Sequence, residues 1–397
     1  MIFNFTLDDI NYFFNSETLK LFQDFIPGDV ENNEKTLFIN EFNKLHKVTL
    51  IISNTCNGKC IYCYEKGGNF GRKNTLMNRD DADKIIDYIL RNFKSIGNVN
   101  FFGGEPTLNF DLIKYIVNRL DGNIDVDVFS IVTNGTLIDD YMITFFDKYH
   151  FKITISLDGP DYIHDKLRLN CSYNNIMKII NKIRITSIGD LLELNCTYTK
   201  YHQEHITYNE LNNFFQNLGI KYYISDVVTE IDWLKLDSDN SLDLTISEKN
   251  IDSTFEKIYK NSINRNLSTY ACAVIDVLIE PIYFDKFCYD IEKEFNAFFD
   301  YNGNKVPCSR FIDKNLANDY IDVINSKNND TCLNCWARGL CKDCTADYVL
   351  KMKKEPYLDK NCFKMKLYEY ALIKLVSIYK DTPEKFQIII DNYLSNF

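Results

Sequence analysis

The sequence lacks the features that would place the protein in a membrane or on a nucleic acid. No uninterrupted apolar run is long enough to span a bilayer, and the first residues contain no basic region of a signal peptide. Basic side chains are also in deficit, since 45 Lys and Arg face 56 Asp and Glu, for a formal charge of -11. A general binder of nucleic acids or anionic membranes would carry the opposite balance, although a local basic patch stays possible. We therefore expect a cytoplasmic protein with no membrane or nucleic-acid partner.

Cysteine, by contrast, is abundant, with 13 residues in a chain of 397. A reducing compartment keeps thiols free, so this number in a cytoplasmic protein points to metal binding rather than to disulfides. Hydrophobic residues make up 45% of the chain and aromatic residues 14%, which supplies enough apolar surface for packed cores. The length allows one large domain with one or two smaller modules.

Three of these cysteines lie within eight residues, directly after a strand-like apolar segment at residues 47–53. Cys56, Cys60 and Cys63 follow a C-x3-C-x2-C spacing, and the aromatic Tyr62 precedes the last of them. Iron–sulfur clusters take Cys thiolates from short loops, and three ligands on a [4Fe-4S] cluster would leave one iron open for chemistry. The alternative is a structural zinc site. Zinc needs a fourth ligand, and no further Cys or His lies near in the sequence.

The next part of the chain alternates between strand-like and helix-like patterns. The strand-like segments are residues 47–53, 98–102, 125–133, 151–157, 192–198 and 221–227. Helical periodicity marks residues 110–120, 139–149, 172–185 and 204–218. Asn-Gly and Asp-Gly pairs after two strands would alone suggest hairpins, but helical patterns follow them. Alternation of this kind predicts a parallel sheet, in which the chemistry lies at the C-terminal ends of the strands.

The cysteine spacing, its aromatic residue and six strand–helix units together resemble the radical S-adenosylmethionine (SAM) enzymes. In that family the open iron of the cluster chelates the amino and carboxylate groups of SAM. The resemblance spans residues 47–228 and implies an α/β fold, a partial (β/α)6 TIM barrel.

The resemblance also implies a set of SAM contacts at the strand ends. The segment Gly103-Gly104-Glu105-Pro106 resembles the site for the SAM amino group, where Glu105 would accept ammonium protons. Contacts at later strand ends would come from Thr133, Asn134, Ser156 for the ribose, and Arg168 for the SAM carboxylate. The alternatives are an exposed loop glutamate for Glu105 and a surface charge for Arg168.

A second group of cysteines resembles the SPASM domain, an auxiliary iron–sulfur extension of peptide- and protein-modifying radical SAM enzymes. The spacing Cys288-x14-Gly303-x4-Cys308 fits that family's pattern, and C-x2-C-x5-C-x2-C follows it. The last pair of this block is separated by two residues where the family usually has three. The resemblance assigns an outer cluster to Cys332, Cys335, Cys341 and Cys362, and an inner cluster to Cys288, Cys308 and Cys344.

The inner cluster then lacks a fourth protein ligand. Cys272 could supply it, but an isolated cysteine in an apolar run is more often a small buried hydrophobe. A zinc ribbon on the two C-x2-C pairs is the alternative for the outer block, and it would leave Cys288, Cys308 and Cys362 unexplained. Two other cysteines are predicted to have no such role: Cys196 in a strand core and Cys171 in a loop.

These assignments divide the chain into five predicted regions. Residues 1–46 form a short helical segment with helices at 7–25 and 38–45, either a reduced element for recognising a leader peptide or a cap on the barrel. The barrel covers 47–230, a connection 231–270, and the SPASM domain 271–365. Residues 366–397 belong to C-terminal helices, whose periodicity covers 363–379 and 383–394.

The implied function is that of a radical SAM peptide maturase with three [4Fe-4S] clusters and SAM. It would remove a hydrogen from a ribosomally made precursor peptide with a leader sequence, and a flavodoxin or ferredoxin would supply electrons. The segments 64–71 and 76–77 resemble maturases that join a Cys sulfur to a carbon, making a thioether. The anaerobic sulfatase-maturing enzyme, which makes formylglycine, and a carbon–carbon cross-linking maturase are the alternatives within the family. A non-catalytic zinc or iron–sulfur scaffold is the alternative outside it.

Overall fold

The computed structural model of the chain describes residues 2–7, 9–15, 20–23, 44–69, 73–227, 231–235, 244–261, 267–279, 296–308, 311–312, 330–341 and 363–396. The chain divides into two compact units. The first, which we call the barrel unit, comprises residues 40–237 and 290–314. The second, the helix-rich unit, comprises residues 1–39, 238–289 and 315–397.

The strands are, in chain order, β1 Ile2–Leu7, β2 Ile10–Asn15, β3 Lys20–Gln23, β4 Lys44–Ser53, β5 Lys59–Cys60, β6 Ser95–Gly103, β7 Asp125–Thr133, β8 Lys152–Ser156, β9 Arg168–Leu169, β10 Leu192–Tyr198, β11 Lys221–Asp226, β12 Asn296–Phe299 and β13 Lys305–Val306. The α-helices are α1 Arg79–Asn92, α2 Phe110–Leu120, α3 Asp140–Lys148, α4 Asp161–Leu167, α5 Tyr173–Arg184, α6 Lys200–His205, α7 Tyr208–Leu218, α8 Leu244–Tyr259, α9 Thr269–Ile279, α10 Asp330–Leu333, α11 Phe363–Asp381 and α12 Pro383–Asn396. None of the helices in these stretches has the length and apolar character needed to cross a membrane.

The barrel unit is built on one sheet with the strand order β11-β10-β8-β7-β6-β4-β12-β13. Its six strands from β4 to β11 pair in parallel, and helices connect them. These are the six predicted strands, and the predicted partial (β/α)6 barrel is therefore confirmed. Phe101, Ile131, Ile153 and Leu194, one from each of four neighbouring strands, are fully buried in its hydrophobic core.

Three details of the barrel unit differ from the predictions. The helix predicted at 204–218 is two helices, because Thr207 and Glu210 form a reciprocal cap that starts α7 afresh. Helix α1 was not among the predicted helices, and it buries Ala82, Ile85 and Ile89 on one face. The third difference is β12, which pairs in parallel with β4 and forms a hairpin with β13. Residues 296–299 and 305–306, predicted to belong to a C-terminal iron–sulfur module, thus extend the barrel sheet.

The N-terminal prediction of helices is wrong for the residues described. Strands β1, β2 and β3 form an antiparallel sheet in the helix-rich unit. The reason is an alternation with a period of two residues: Phe3, Phe5 and Leu7 are half-buried, whereas Asn4 and Thr6 are exposed. The second predicted helix, at 38–45, lies mostly outside the described residues, and its last two positions belong to β4.

The helix-rich unit has a hydrophobic core of its own. Helices α8, α9, α11 and α12 contribute most of its buried side chains, and α11 and α12 match the two C-terminal helices predicted from periodicity. Trp336 joins this core, where its ring stacks on Phe3 at 4.2 Å and meets Phe14 edge-on at 5.9 Å between ring centroids.

Candidate active site

The loop that carries the first three cysteines follows β4 and is held at two points of the barrel unit. Its short strand β5 pairs antiparallel with β9, which sets Cys60 opposite Arg168. The Ile61 N–H adds a hydrogen bond of 2.9 Å to the carbonyl of Leu167, the last residue of α4. On the other side, the Glu105 N–H donates to the Thr55 carbonyl at 2.8 Å. The cysteine loop therefore has a defined position over the strand ends.

Each of the three sulfur atoms accepts a hydrogen bond from an N–H group. The Gly58 N–H donates to Cys56 Sγ at 3.3 Å, and the Gly67 N–H donates to Cys63 Sγ at 3.4 Å. Arg168 Nη1 lies 3.7 Å from Cys60 Sγ. Hydrogen bonds to the sulfurs are a normal part of iron–sulfur sites, where they adjust the reduction potential. In residue type and in the hydrogen bonds to their sulfur atoms, the three cysteines fit the ligand set of such a cluster.

The pKa values of these thiols differ for physical reasons. Burial raises the pKa of Cys56 to about 12 and also raises the pKa of Cys63. A hydrogen bond from the Cys171 thiol, supported by the charge of Arg168, lowers the pKa of Cys60 despite its burial. Without a bound cation Cys56 and Cys63 stay protonated at neutral pH, and a metal centre is what would hold them as thiolates.

Cys171 has a place in this site, contrary to the prediction that it is incidental. It is buried at 2% exposure, and its thiol lies beside Gly58 and Cys60: a Cβ added to Gly58 would fall 2.9 Å from Cys171 Sγ and 3.4 Å from Cys56 Sγ. A fourth thiol is thus near in space although none is near in sequence. Within the described stretches, however, no three His, Cys, Asp or Glu side chains are placed so that they could hold a metal ion.

The Gly-Gly-Glu-Pro segment lies against the start of the cysteine loop. Gly103 has a φ of +137°, and a Cβ there would fall 2.2 Å from the Ser53 carbonyl oxygen. A Cβ on Gly104 would fall 2.5 Å from the Thr55 carbonyl oxygen. Glycine is required at both positions, because only a residue without a Cβ allows the two backbones to approach so closely.

Glu105 is buried at 1% exposure, so it is not an exposed loop residue. Its Oε1 accepts hydrogen bonds from Thr107 Oγ1 and Thr133 Oγ1, both at 2.6 Å, and from the Thr107 N–H at 3.1 Å. Its Oε2 accepts from the Asn134 N–H at 2.8 Å. Burial raises the pKa of this carboxyl although the four hydrogen bonds oppose the shift. Asn134 in turn reaches the cysteine loop, with its Nδ2 3.7 Å from Cys56 Sγ.

Asp158, at the end of the strand region after β8, organises the opposite side of the site and was not among the predicted site residues. It is fully buried and accepts hydrogen bonds from Tyr62 Oη at 2.6 Å, Arg168 Nε at 2.8 Å and the Thr197 N–H at 2.9 Å. Burial opposes its charge, but Arg168 and the nearby His164 and His202 outweigh that effect and lower its pKa. Arg168 is therefore a buried ion-pair partner and not a surface charge.

The cysteine loop, the Gly-Gly-Glu-Pro segment and Arg168 line one cavity of about 250 Å³. All the predicted site residues of the barrel strands and the first cysteine loop line it, except Pro106, which is buried at the start of a short 3-10 helix. Asn195 and Thr197 of β10 and Glu65 also line it, although the sequence analysis did not single them out. Asn195 and Thr197 could have been found from the sequence, because they lie near the C-terminal end of a predicted strand, where the site of a parallel barrel is expected.

Only part of the auxiliary cysteine set falls within the described residues. Cys308 follows the β12–β13 hairpin in the barrel unit, and Cys332, Cys335 and Cys341 lie in the helix-rich unit around Trp336. Cys288, Cys344 and Cys362 lie outside the described residues. Cys272 is half-buried on α9, and its thiol is hydrogen-bonded to Tyr393 Oη.

The sequence of residues 50–205 matches the model of the radical SAM superfamily. The chain contains a radical SAM domain. This domain spans β4 to α6, and therefore includes the cysteine loop, the Gly-Gly-Glu-Pro segment and Asp158. The superfamily implies a [4Fe-4S] cluster and SAM as cofactors.

Two curated relatives extend the likeness. The chain is 24% identical over 374 residues to the radical SAM cyclopropyl synthase TigE of Paramaledivibacter caminithermalis, a match that covers 85% of this chain and 75% of TigE. It is 34% identical over 148 residues to the cysteine-type anaerobic sulfatase-maturating enzyme of Clostridium novyi, covering 34% of this chain and 39% of that enzyme. The similar sequences thus include a ring-forming enzyme and a protein-maturing enzyme.

The fold is similar to that of a protein of known structure. The structure of native anSMEcpe with bound AdoMet and the Kp18Cys peptide superposes with a TM-score of 0.63 at 18% identity, and covers 85% of this chain and 99% of that one. At this identity the likeness concerns the fold alone, and it agrees with the partial barrel described above.

Proposed function

We propose that the protein is a radical SAM peptide maturase in which Cys56, Cys60 and Cys63 hold the SAM-binding [4Fe-4S] cluster. The observation that carries the proposal is the single cavity that these thiols share with Glu105 and Arg168. When bound and reduced, such a cluster supplies an electron to SAM, which releases methionine and a 5'-deoxyadenosyl radical.

The side chains of the cavity then have defined tasks. Glu105, buried beside the loop, is an anionic acceptor for the SAM ammonium group, and hydrogen bonds from Thr133 and Asn134 hold its carboxylate in place. Arg168 is oriented by Asp158 through Nε, which directs its Nη1 toward the cysteine loop, where a SAM carboxylate would lie. Gly103 and Gly104 allow the backbone to approach the cofactor, and Ser156 lines the cavity as a candidate ribose contact.

The substrate we propose is a ribosomally made precursor peptide with a leader sequence, and the product a thioether between a Cys sulfur and a carbon. The peptide bound in the anSMEcpe structure supports a peptide substrate for this fold. The thioether product is supported by the loop motifs and by the cysteine-rich C-terminal region, which we propose to be a SPASM domain with two auxiliary clusters. A flavodoxin or ferredoxin would be the electron donor.

Two other products have a specific observation in their favour. Formylglycine formation is supported by the 34% identity to the sulfatase-maturating enzyme, and carbon–carbon bond formation by the match of 85% of this chain to a cyclopropyl synthase. All three products need the same hydrogen abstraction. They differ in the fate of the substrate thiol. Only thioether formation uses up the free thiol and keeps its sulfur atom in the product.

The test uses protein purified and reconstituted without oxygen. We expect 5'-deoxyadenosine after reduction with dithionite, and none from Cys56→Ala, Cys60→Ala or Cys63→Ala, because a missing thiolate disrupts the cluster that we propose to bind SAM. Wild-type rates in any of the three variants would show that the cluster is elsewhere. Peptides encoded next to the gene are then assayed by mass spectrometry after thiol alkylation. A modified peptide that keeps a reactive thiol would exclude a thioether, and retention of sulfur would exclude formylglycine.

A further inference from the structure

Two buried histidines have no task in the function proposed above. The chain contains five histidines, of which His46, His150 and His205 are exposed. His164 and His202, in contrast, are both 0% exposed. Burying an imidazole costs free energy unless its nitrogens are hydrogen-bonded. The partners of these nitrogens therefore indicate what the two rings do.

Both rings bind the backbone of Asp158. The Asp158 N–H donates to His164 Nδ1 at 3.1 Å, and the Asp158 carbonyl oxygen lies 2.7 Å from His202 Nε2. The other nitrogen of His202, Nδ1, accepts from the Thr199 N–H at 3.1 Å. Asp158 lies two residues beyond the end of β8, so the two rings supply hydrogen bonds to a backbone that has left the strand.

The second nitrogen of His164 extends this contact toward the cysteine loop. His164 Nε2 lies 2.9 Å from the Cys171 carbonyl oxygen, and the Cys171 N–H donates to the Arg168 carbonyl at 3.0 Å. The Cys171 thiol is hydrogen-bonded to Cys60. One imidazole therefore joins the backbone of Asp158, whose carboxylate pairs with Arg168 Nε at 2.8 Å, to the turn that carries another donor to Cys60.

The partners also fix where each ring carries its hydrogen. A backbone N–H can only donate a hydrogen bond, and a carbonyl oxygen can only accept one. Nδ1 of each ring is therefore unprotonated, and Nε2 carries the hydrogen. Burial lowers the pKa of His164 and of His202, although the charge of Asp158 opposes the shift. Both rings are thus neutral imidazoles in the Nε2–H form.

We propose that His164 and His202 are positioning residues of the candidate active site. Their hydrogen bonds fix the backbone of Asp158, so that its carboxylate directs Arg168 toward the SAM carboxylate. His164 also fixes the turn of Cys171 and thereby the thiol that donates to Cys60. Both rings lie outside the lining of the cavity and act through these neighbours. The effects on SAM and on the cluster rest on the proposed function, whereas the bonds to Asp158 do not.

The hydrogen bonds to Asp158 are tested by NMR of the full-length reconstituted protein labelled with 15N-histidine. The variants His46→Gln, His150→Gln and His205→Gln assign the three exposed rings, so the two remaining signals belong to the buried pair. We expect both signals to report a neutral ring protonated at Nε2 at neutral pH. A buried ring protonated at Nδ1, or at both nitrogens, overturns the proposal. No SAM is needed, so this result is independent of the proposed function.

Amide substitutions separate the two nitrogens of each ring. Asn places its amide near the position of Nδ1, and Gln places its amide near that of Nε2. His164→Gln and His202→Asn should each lose the bond to Asp158 and bind SAM about tenfold more weakly in calorimetry. His164→Asn and His202→Gln keep that bond and should stay within about threefold of the wild type. His205→Asn is the exposed control. Equal SAM affinity in all four buried variants would leave the rings a structural role only and overturn the proposal.

The bond from His164 to Cys171 is measured by the reduction potential of the cluster. His164→Asn loses this bond, so the potential should fall toward that of Cys171→Ala, and the double variant should show no further decrease. Additive shifts would show that His164 does not act through Cys171.

The wild type decides if the buried variants fail to fold in circular dichroism. Saturating SAM should shift the two buried histidine signals and leave that of His205 in place, because a carboxylate bound to Arg168 changes the charge around Asp158. Buried signals that stay unmoved while calorimetry records SAM binding would overturn the proposal. A protein that binds no SAM would refute the proposed function instead, and the NMR result would still decide whether the rings hold Asp158.

Discussion

At the scale of single residues, the Glu105 carboxylate links three segments: the Gly-Gly-Glu-Pro loop, Thr133 and the cysteine loop through Asn134. Glu105→Gln keeps the shape but removes the charge that would accept an ammonium group, an interaction of about 1.5–3 kcal/mol. We expect SAM to bind roughly tenfold to a hundredfold more weakly, with iron content unchanged. Calorimetry with SAM measures the change. An unaltered dissociation constant would reduce Glu105 to a structural role.

Asp158 and Arg168 form the buried ion pair of the site. Asp158→Asn would leave the Arg168 guanidinium buried without its counter-charge, and breaking one side of such a pair costs about 3–5 kcal/mol. We expect a large drop in thermal stability, recorded by circular dichroism. The control is Asp127→Asn, since Asp127 pairs with Lys44 at the surface, where ion pairs contribute about 0–1 kcal/mol. Similar losses of thermal stability in the two variants would contradict the claim that the buried ion pair matters more than the surface one.

The Cys171 thiol donates a hydrogen bond to Cys60, which we propose as a cluster ligand. Cys171→Ala removes this hydrogen bond, and because donors to cluster sulfurs favour the reduced state, the cluster's reduction potential should become more negative. Iron content should stay the same. Cys196→Ala is the control, because the Cys196 thiol bonds to the Asp158 carbonyl and not to a ligand. Loss of iron from Cys171→Ala alone would identify Cys171 as a metal ligand instead of a donor.

The residues that the sequence predicted and those that it missed differ in a simple way. Cys56, Cys60 and Glu105 stand in compact motifs whose spacing is visible in the chain. Cys171 and Asp158 act through partners that are far away in sequence: Asp158 is 96 residues from Tyr62, and Cys171 follows the short strand that pairs with the cysteine loop. Such long-range contacts exist only once the sheet has formed, so sequence spacing could not reveal them.

At the scale of elements, the end of β6 must meet the end of β4 for the site to exist. Gly104→Ala would place a Cβ 2.5 Å from the Thr55 carbonyl oxygen, so the cysteine loop would have to move. We expect a folded barrel by far-UV circular dichroism that has lost most of its SAM-binding cluster. Gly122→Ala is the control: its Cβ meets nothing within 4 Å, and the cost is about 1–2 kcal/mol for its positive φ. Full cluster content in Gly104→Ala would mean that the loop adapts.

The strand–helix order could be predicted because the parallel strands are apolar runs that end at glycine-containing loops. Residues 125–133, 192–198 and 110–120 were predicted with the bounds that the structure shows. The N-terminal strands were not, because a run of aromatic residues such as Phe13 and Phe14 hides an alternating pattern. Hairpin β12–β13 was missed as well, since Cys288 and Cys308, which flank it in the sequence, suggested a metal module rather than a sheet.

At the scale of the whole molecule, the question is how the auxiliary cysteines are divided. Cys308 follows a hairpin of the barrel sheet, whereas Cys332, Cys335 and Cys341 lie in the helix-rich unit. The assignment of two clusters, one on Cys288, Cys308 and Cys344 and the other on Cys332, Cys335, Cys341 and Cys362, stays a prediction, because three of these seven cysteines lie outside the described residues. In that assignment the first cluster has three protein thiolates, and a soft substrate thiolate is the ligand that its open iron would favour.

Cys272 is the competing fourth ligand, but its thiol is hydrogen-bonded to Tyr393 Oη on the helix-rich unit. Cys272→Ala should therefore keep its iron content and cluster spectra, whereas Cys308→Ala should lose about four irons per chain. A Cys-containing peptide should perturb the auxiliary-cluster signal in wild type and in Cys272→Ala alike, because the thiolate would occupy the open iron. If Cys272→Ala instead loses as much iron as Cys308→Ala, and the peptide changes no spectrum, the cluster is closed by protein ligands. Formation of a thioether by ligation of the substrate sulfur would then give way to oxidation or carbon–carbon coupling.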